Sequence, residues 1–102
     1  MKEKILRKVF LGFIHLHILF HASKEPIYGT WMKEELESHG YTISYGTLYP
    51  ILHNLEKSGL LESEEQIIDG KVRKYYRATK DGIEVCELGK ERAKELFREV
   101  SE

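Results

Sequence analysis

The spacing of apolar positions changes several times along the chain, and each change marks a new element. Ile5, Leu6, Val9, Phe10, Phe13, Ile14, Leu16 and Phe20 cover more than one side of a helix over 4–21. A helix apolar on nearly every side should be buried on nearly every side. A chain of 102 residues has little interior for it, so this pattern points to a partner chain. Ala22 to Pro26 is a break, because Pro26 disfavours helix at Glu25. A second helix is expected over 27–39, with Ile27, Trp31 and Leu36 inward and Gly40 as its stop. A third spans about 44–58, where Leu48, Ile51, Leu52 and Leu55 follow the i, i+3, i+4, i+7 spacing of a buried stripe. Ser44 and Thr47 both qualify as its N-cap. From a Ser44 cap, Pro50 costs a helical hydrogen bond; from a Thr47 cap, its missing amide costs nothing.

After Gly59 the helical spacing ends. Residues 60–68 and 71–79 read as two strands joined by Asp69-Gly70, a strong signal for a two-residue hairpin turn. Tyr75 and Tyr76 must point to opposite faces, one to the core and the other to the surface. Thr79 is suited to cap a last helix over about 80–100, with Asp81 in its first turn. In that helix Gly82, Cys86, Gly89, Ala93, Leu96 and Val100 alternate steps of four and three, the a/d seam of a coiled coil. Phe97 widens the seam, and Val9 and Phe13 of the first helix are the other candidates for the partner surface. The expected fold is mainly α with a small β-hairpin: a winged helix-turn-helix, dimerised through its C-terminal and N-terminal helices. Residues 1–79 would form the DNA-binding domain and residues 80–102 the dimerisation helix, in one compact unit.

Charge sharpens this picture. The net charge is −1, so any nucleic-acid binding must rest on a local basic patch. Lys71, Arg73, Lys74 and Arg77 fall in one strand with no acid among them, while Glu62, Glu64, Glu65 and Asp69 occupy the preceding strand and turn. One strand facing phosphates explains this asymmetry; ion pairs between the strands are the competing explanation. On the third helix Ser44, Tyr45, Gly46, Thr47, Tyr49, Pro50, His53 and Lys57 lie at the start or on the outer side. Gly46 allows close approach of backbone to phosphate, and Thr47 and Tyr49 offer hydroxyls to phosphates or base edges. Asn54 has the chemistry to read adenine but comes late in the helix. The helix pattern alone fits a merely solvated face equally well; the basic strand tips the balance toward DNA.

Other chemistries find less support. The single Cys86 forms no intrachain disulfide and sits where the seam wants a small apolar residue. Lys2, Lys4, Arg7 and Lys8 before an apolar run resemble a signal peptide. Histidines and Glu3 interrupt that pattern, and the run from Val9 to Phe20 is shorter than the ~20 residues of a membrane span. A cytoplasmic protein with no membrane association is therefore expected. There is no phosphate-cradling glycine loop and no nucleophile–base pair, so neither an enzyme nor a bound cofactor is expected. His17 and His21 stand at i, i+4, which suits a metal. However, His15 lies about 200° around the helix from His17, and no Cys-Cys or His-Glu pair accompanies them. They read as core or interface histidines, with a metal-responsive regulator as an alternative.

The run Ser44-Tyr45-Gly46-Thr47-Leu48-Tyr49-Pro50-Ile51-Leu52 is followed by Leu55-Glu56, Gly59-Leu60-Leu61, Arg73-Lys74-Tyr75-Tyr76, Thr79 and Gly82. With Tyr28-Gly29 upstream, this ordered set resembles the PadR family of transcriptional regulators from about Phe10 to Gly82. The resemblance implies a homodimeric repressor on double-stranded DNA, with a palindromic operator released by a small-molecule inducer or stress signal. It places Gly46 to Pro50 at the start of the recognition helix and Lys71, Arg73 and Lys74 on a wing over 67–75. It also implies the short form with a single C-terminal helix. Trp31 and the three histidines of the first helix depart from the general pattern. A winged helix used only for protein contact is the second alternative.

Overall fold

The computed structural model describes residues 1–102. The chain runs α1 (Lys2–Lys24), α2 (Gly29–Ser38), α3 (Tyr45–Lys57), β1 (Leu61–Ile68), β2 (Lys71–Ala78) and α4 (Lys80–Val100). This is the expected mainly helical fold with one antiparallel hairpin. Asp69 and Gly70 both take positive φ, 52° and 76°. That is the signature of a two-residue primed turn, and it sets the register from Ile68↔Lys71 to Leu61↔Ala78.

One boundary moves for a long-range reason. Ile27 does not begin α2. Its backbone exchanges two hydrogen bonds with Tyr76, at 2.8 and 2.7 Å, so it lies as a single-residue bridge beside β2. Tyr28 becomes the extended residue before the helix. The two candidate caps of α3 also resolve: Ser44 precedes the helix, and its carbonyl accepts from the amides of Thr47 and Leu48, both at 3.0 Å. Pro50 therefore lies inside the helix and leaves the Gly46 carbonyl without its usual donor.

The core gathers Ile14, Ile18, Leu19 and Ala22 of α1, Met32 and Leu36 of α2, and the predicted stripe of α3. Leu61, Tyr76, Ile27 and Cys86 close it. Tyr76 is the inward member of the tyrosine pair, 1% exposed, while Tyr75 packs edge-on against Tyr28. Although α1 is long and apolar enough to cross a membrane by length and composition, four of its residues belong to this core. The expectation that α1 is buried on nearly all sides fails within one chain. Ile5, Leu6, Val9, Phe10 and Phe13 remain exposed.

The junction between hairpin and α4 is tight. The Thr79 hydroxyl accepts from the Gly82 amide at 3.0 Å and donates to the Gly59 carbonyl at 2.6 Å. A Cβ at Gly82 would stand 2.0 Å from the Leu60 carbonyl oxygen. A Gly82→Ala variant should therefore lose about 1–3 kcal/mol of stability through overpacking, read as a lower urea midpoint with unchanged slope. An unchanged midpoint would mean that the junction yields freely.

Candidate nucleic-acid interface

The inward stripe of α3 fixes what its other side presents. Leu48, Ile51, Leu52 and Leu55 are buried, so Tyr45, Tyr49 and His53, spaced four apart, form an exposed ladder. The rings of Tyr45 and Tyr49 stack with centroids 5.6 Å apart, and His53 follows at 6.2 Å. Lys33 of α2 lies over the Tyr45 ring at 5.5 Å. Ser44, Gly46, Pro50 and Lys57 are exposed beside the ladder, and Thr47 is half-buried. Tyr49 also has a packing role: a Cβ at Gly29 would fall 2.5 Å from its hydroxyl. Gly29 thus lets the start of α2 sit directly against α3.

Across from α3, the hairpin supplies cations in different states. Lys71 is exposed. Arg73 stacks its guanidinium over Tyr28, 4.1 Å from the ring centre, a contact that orients it without neutralising it. Lys74 differs, because its Nζ lies 3.5 Å from Glu56 Oε1 of α3. Glu56 also accepts from the Ser63 hydroxyl of β1 at 2.5 Å. One carboxylate therefore joins α3 to both strands. Lys74 does not turn to Glu65, its partner across the ladder. Between α3, the start of α2 and the hairpin lies a groove of about 400 Å³, lined by Tyr28, Thr30, Tyr49, Lys71 and Arg73 among others.

Comparison with known proteins gives this arrangement its context. Residues 18–88 match the transcriptional regulator PadR-like family. The chain belongs to the PadR-like family of transcriptional regulators. It is 47% identical over 87 residues to transcriptional regulator Rv3488 of Mycobacterium tuberculosis (strain ATCC 25618 / H37Rv), covering 85% of this chain and 81% of that protein. Among solved structures, a PadR family regulator from Eggerthella lenta DSM 2243 superposes with a TM-score of 0.84 at 32% identity, over 97% of this chain and 88% of the other. A PadR-like regulator from Bacillus cereus strain ATCC 14579 gives 0.79 at 31% identity, over 96% and 93%.

Against this PadR-like frame, the candidate residues separate into groups. Ser44, Tyr45, Gly46, Tyr49, Pro50, His53 and Lys57 are exposed along α3 and at its start, with Thr47 half-buried among them, and Lys71 and Arg73 line the groove beside Tyr49. Lys74 differs from these two in that Glu56 of α3 already engages it. The candidate partner surface also divides. Cys86 is 8% exposed within its own chain, and a Cβ at Gly89 would meet Leu16 of α1 at 2.3 Å. These two dock α4 onto α1 and are not free for a second chain. Ala93, Leu96, Phe97 and Val100 project beyond this contact and are exposed, as are Val9 and Phe13. Burial, then the neighbouring Glu87, pushes the Cys86 thiol above its usual pKa, opposite to what a reactive thiolate needs.

The sequence pattern does not reveal the Glu56 tie; its only trace there is a single acid late on α3. The Ser63 hydroxyl holds the Glu56 carboxyl below its ordinary pKa; burial opposes it, and Lys74 adds to the lowering. A depressed folded pKa contributes stability above the unfolded pKa and loses it as pH falls through the folded one. The amide resonances of Ser63 and Lys74 should therefore shift together on acidification below the usual carboxylate range. In Glu56→Gln that shared transition should vanish; its persistence would place the titrating group elsewhere.

Proposed function

We propose that this PadR-family regulator is a sequence-specific DNA-binding repressor that acts as a cytoplasmic homodimer. One observation carries the reading: Tyr49, the middle member of the outward ladder of α3, shares a groove with two wing cations, Lys71 and Arg73, that form no ion pair. α3 enters a major groove, with Tyr45, Gly46, Thr47 and Tyr49 nearest the bases and phosphates and His53 and Lys57 further along. The wing lies on the adjacent backbone, where Lys71 and Arg73 meet phosphates. Lys74 contributes by holding the wing to α3.

Pairing follows from the apolar surface left uncovered. Leu96, Phe97 and Val100 are 48, 68 and 69% exposed, on a helix that extends past its own domain. With Val9 and Phe13 they form the surface by which two chains join, which would place two recognition helices on a palindromic operator. The effector reading rests on a second feature. A cleft of about 720 Å³ opens between α1, α2 and α4, with Phe13, Leu16, Phe20 and Ile83 on its apolar side. A small-molecule inducer seated there would touch both the dimer helices and the helix that supports α3.

Fluorescence anisotropy with duplex DNA from the region upstream of the coding gene tests the DNA reading. Affinity should fall steeply with salt, and Lys71→Ala combined with Arg73→Ala should reduce the log–log salt slope by about 2 and weaken binding to all sequences. Salt-independent behaviour, or no binding, would instead favour a winged helix used for protein contact. Sedimentation tests the pairing. Leu96→Asp should yield a monomer and lower operator affinity in parallel; a variant that remains dimeric would refute the assigned surface.

A further inference from the structure

At the polar end of the same cleft, two helices bring together four side chains that the DNA reading does not use. His17 and His21 lie one turn apart on α1. Glu35 lies on α2, and His39 follows at its C-terminal cap. Each helix thus contributes an i, i+4 pair, and the two pairs face one another. One ligand nitrogen from each of His17, His21 and His39 lies within 4.8 Å of the others. Glu35 Oε2 is 3.1 Å from His21 Nε2 and 3.0 Å from His39 Nε2. The His17 and His39 rings are 4.6 Å apart.

We propose that His17, His21, Glu35 and His39 form a binding site for one borderline divalent transition-metal ion, of which zinc is the type, and that the ion ties α2 to α1. Three imidazole nitrogens and one carboxylate oxygen are a complete tetrahedral donor set for such an ion. Metal–ligand bonds of about 2.0–2.1 Å place tetrahedral donors roughly 3.4 Å apart. The two Glu35 contacts already approach that spacing, and the histidine nitrogens need to close by no more than about 1.4 Å, within the reach of side-chain torsions. Nitrogen donors exclude magnesium and calcium as the natural occupants, since these take oxygen ligands. Ion pairing alone accounts for His21 and His39 around Glu35. It gives no reason for His17 to join them from the next turn of α1. The site stands independently of the DNA reading, because its occupancy is measured without DNA.

The chain carries one tryptophan, and Trp31 lies edge-on to His21 at 5.3 Å between ring centres, so it reports directly on the site. Chelator-treated full-length protein should be titrated with zinc, following Trp31 emission and competition with a chromophoric chelator. One ion should bind per chain, cobalt should give the intense visible absorption of a four-coordinate site, and zinc should raise the thermal midpoint. His39→Ala changes an exposed residue and should keep its circular dichroism; it should weaken zinc at least ~10-fold and abolish the thermal shift. His17→Gln should do the same, while His53→Ala on α3 should bind as wild type. No stoichiometric binding, or binding unaltered in both His39→Ala and His17→Gln, would overturn the site. Binding with no rise in thermal midpoint would overturn the tie between the helices.

Discussion

The burial of one helical stripe governs the rest of the molecule. Leu48, Ile51, Leu52 and Leu55 seat α3 against α2 and the first strand of the hairpin, within the core that α1 also joins, each contributing about 1.5–3 kcal/mol when removed from water. Once that face is committed inward, Tyr45, Tyr49 and His53 have no choice but to face out. The same commitment fixes the distance between α3 and the hairpin, so that Glu56 reaches both Ser63 and Lys74. Gly29 completes the arrangement from the other side, where a side chain would displace the Tyr49 ring. The outward surface is therefore a consequence of core packing, and its shape is rigid where the core is rigid.

A second consequence concerns size. The chain extends 53 Å along its longest axis but only 23 Å along its shortest, because α1 and α4 run beyond the small core. Their ends leave large apolar side chains in water, which is costly unless something covers them. Tight docking of Cys86 and Gly89 onto α1 holds the first half of α4 to its own domain and leaves the second half free. The cleft between these helices and α2 joins the apolar surface to the helix that supports α3. A ligand or ion there touches elements that serve both the proposed pairing and the proposed reading of DNA.

Much of this was legible from local chemistry. The four-three spacing on α3, the Asp69-Gly70 turn and the Thr79 cap each act within a few residues, and each appears where the sequence places it. The features that local chemistry does not reveal depend on residues far apart in the chain. Ile27 has helical neighbours but pairs with Tyr76, a partner that only the tertiary fold supplies. Lys74 reads as a free cation in a basic strand until α3 brings Glu56 beside it. Cys86 and Gly89 continue a coiled-coil seam, yet the same small side chains suit close docking onto Leu16. His17 and His21 showed a helical pair, whereas Glu35 and His39 lie on another helix that carries no sign of facing them. The chemistry of the groove was readable in residue types; its geometry came from packing between elements.

The central claim is that the buried stripe of α3 presents its opposite face to DNA in two copies related by a two-fold axis. Hydroxyl-radical footprinting of the protein on DNA from its own upstream region tests this most directly. Two protected patches of equal strength are expected, with centres one helical turn apart, about 10 base pairs, or a multiple of it. A single protected patch, or uniform protection with no defined sites, would contradict it.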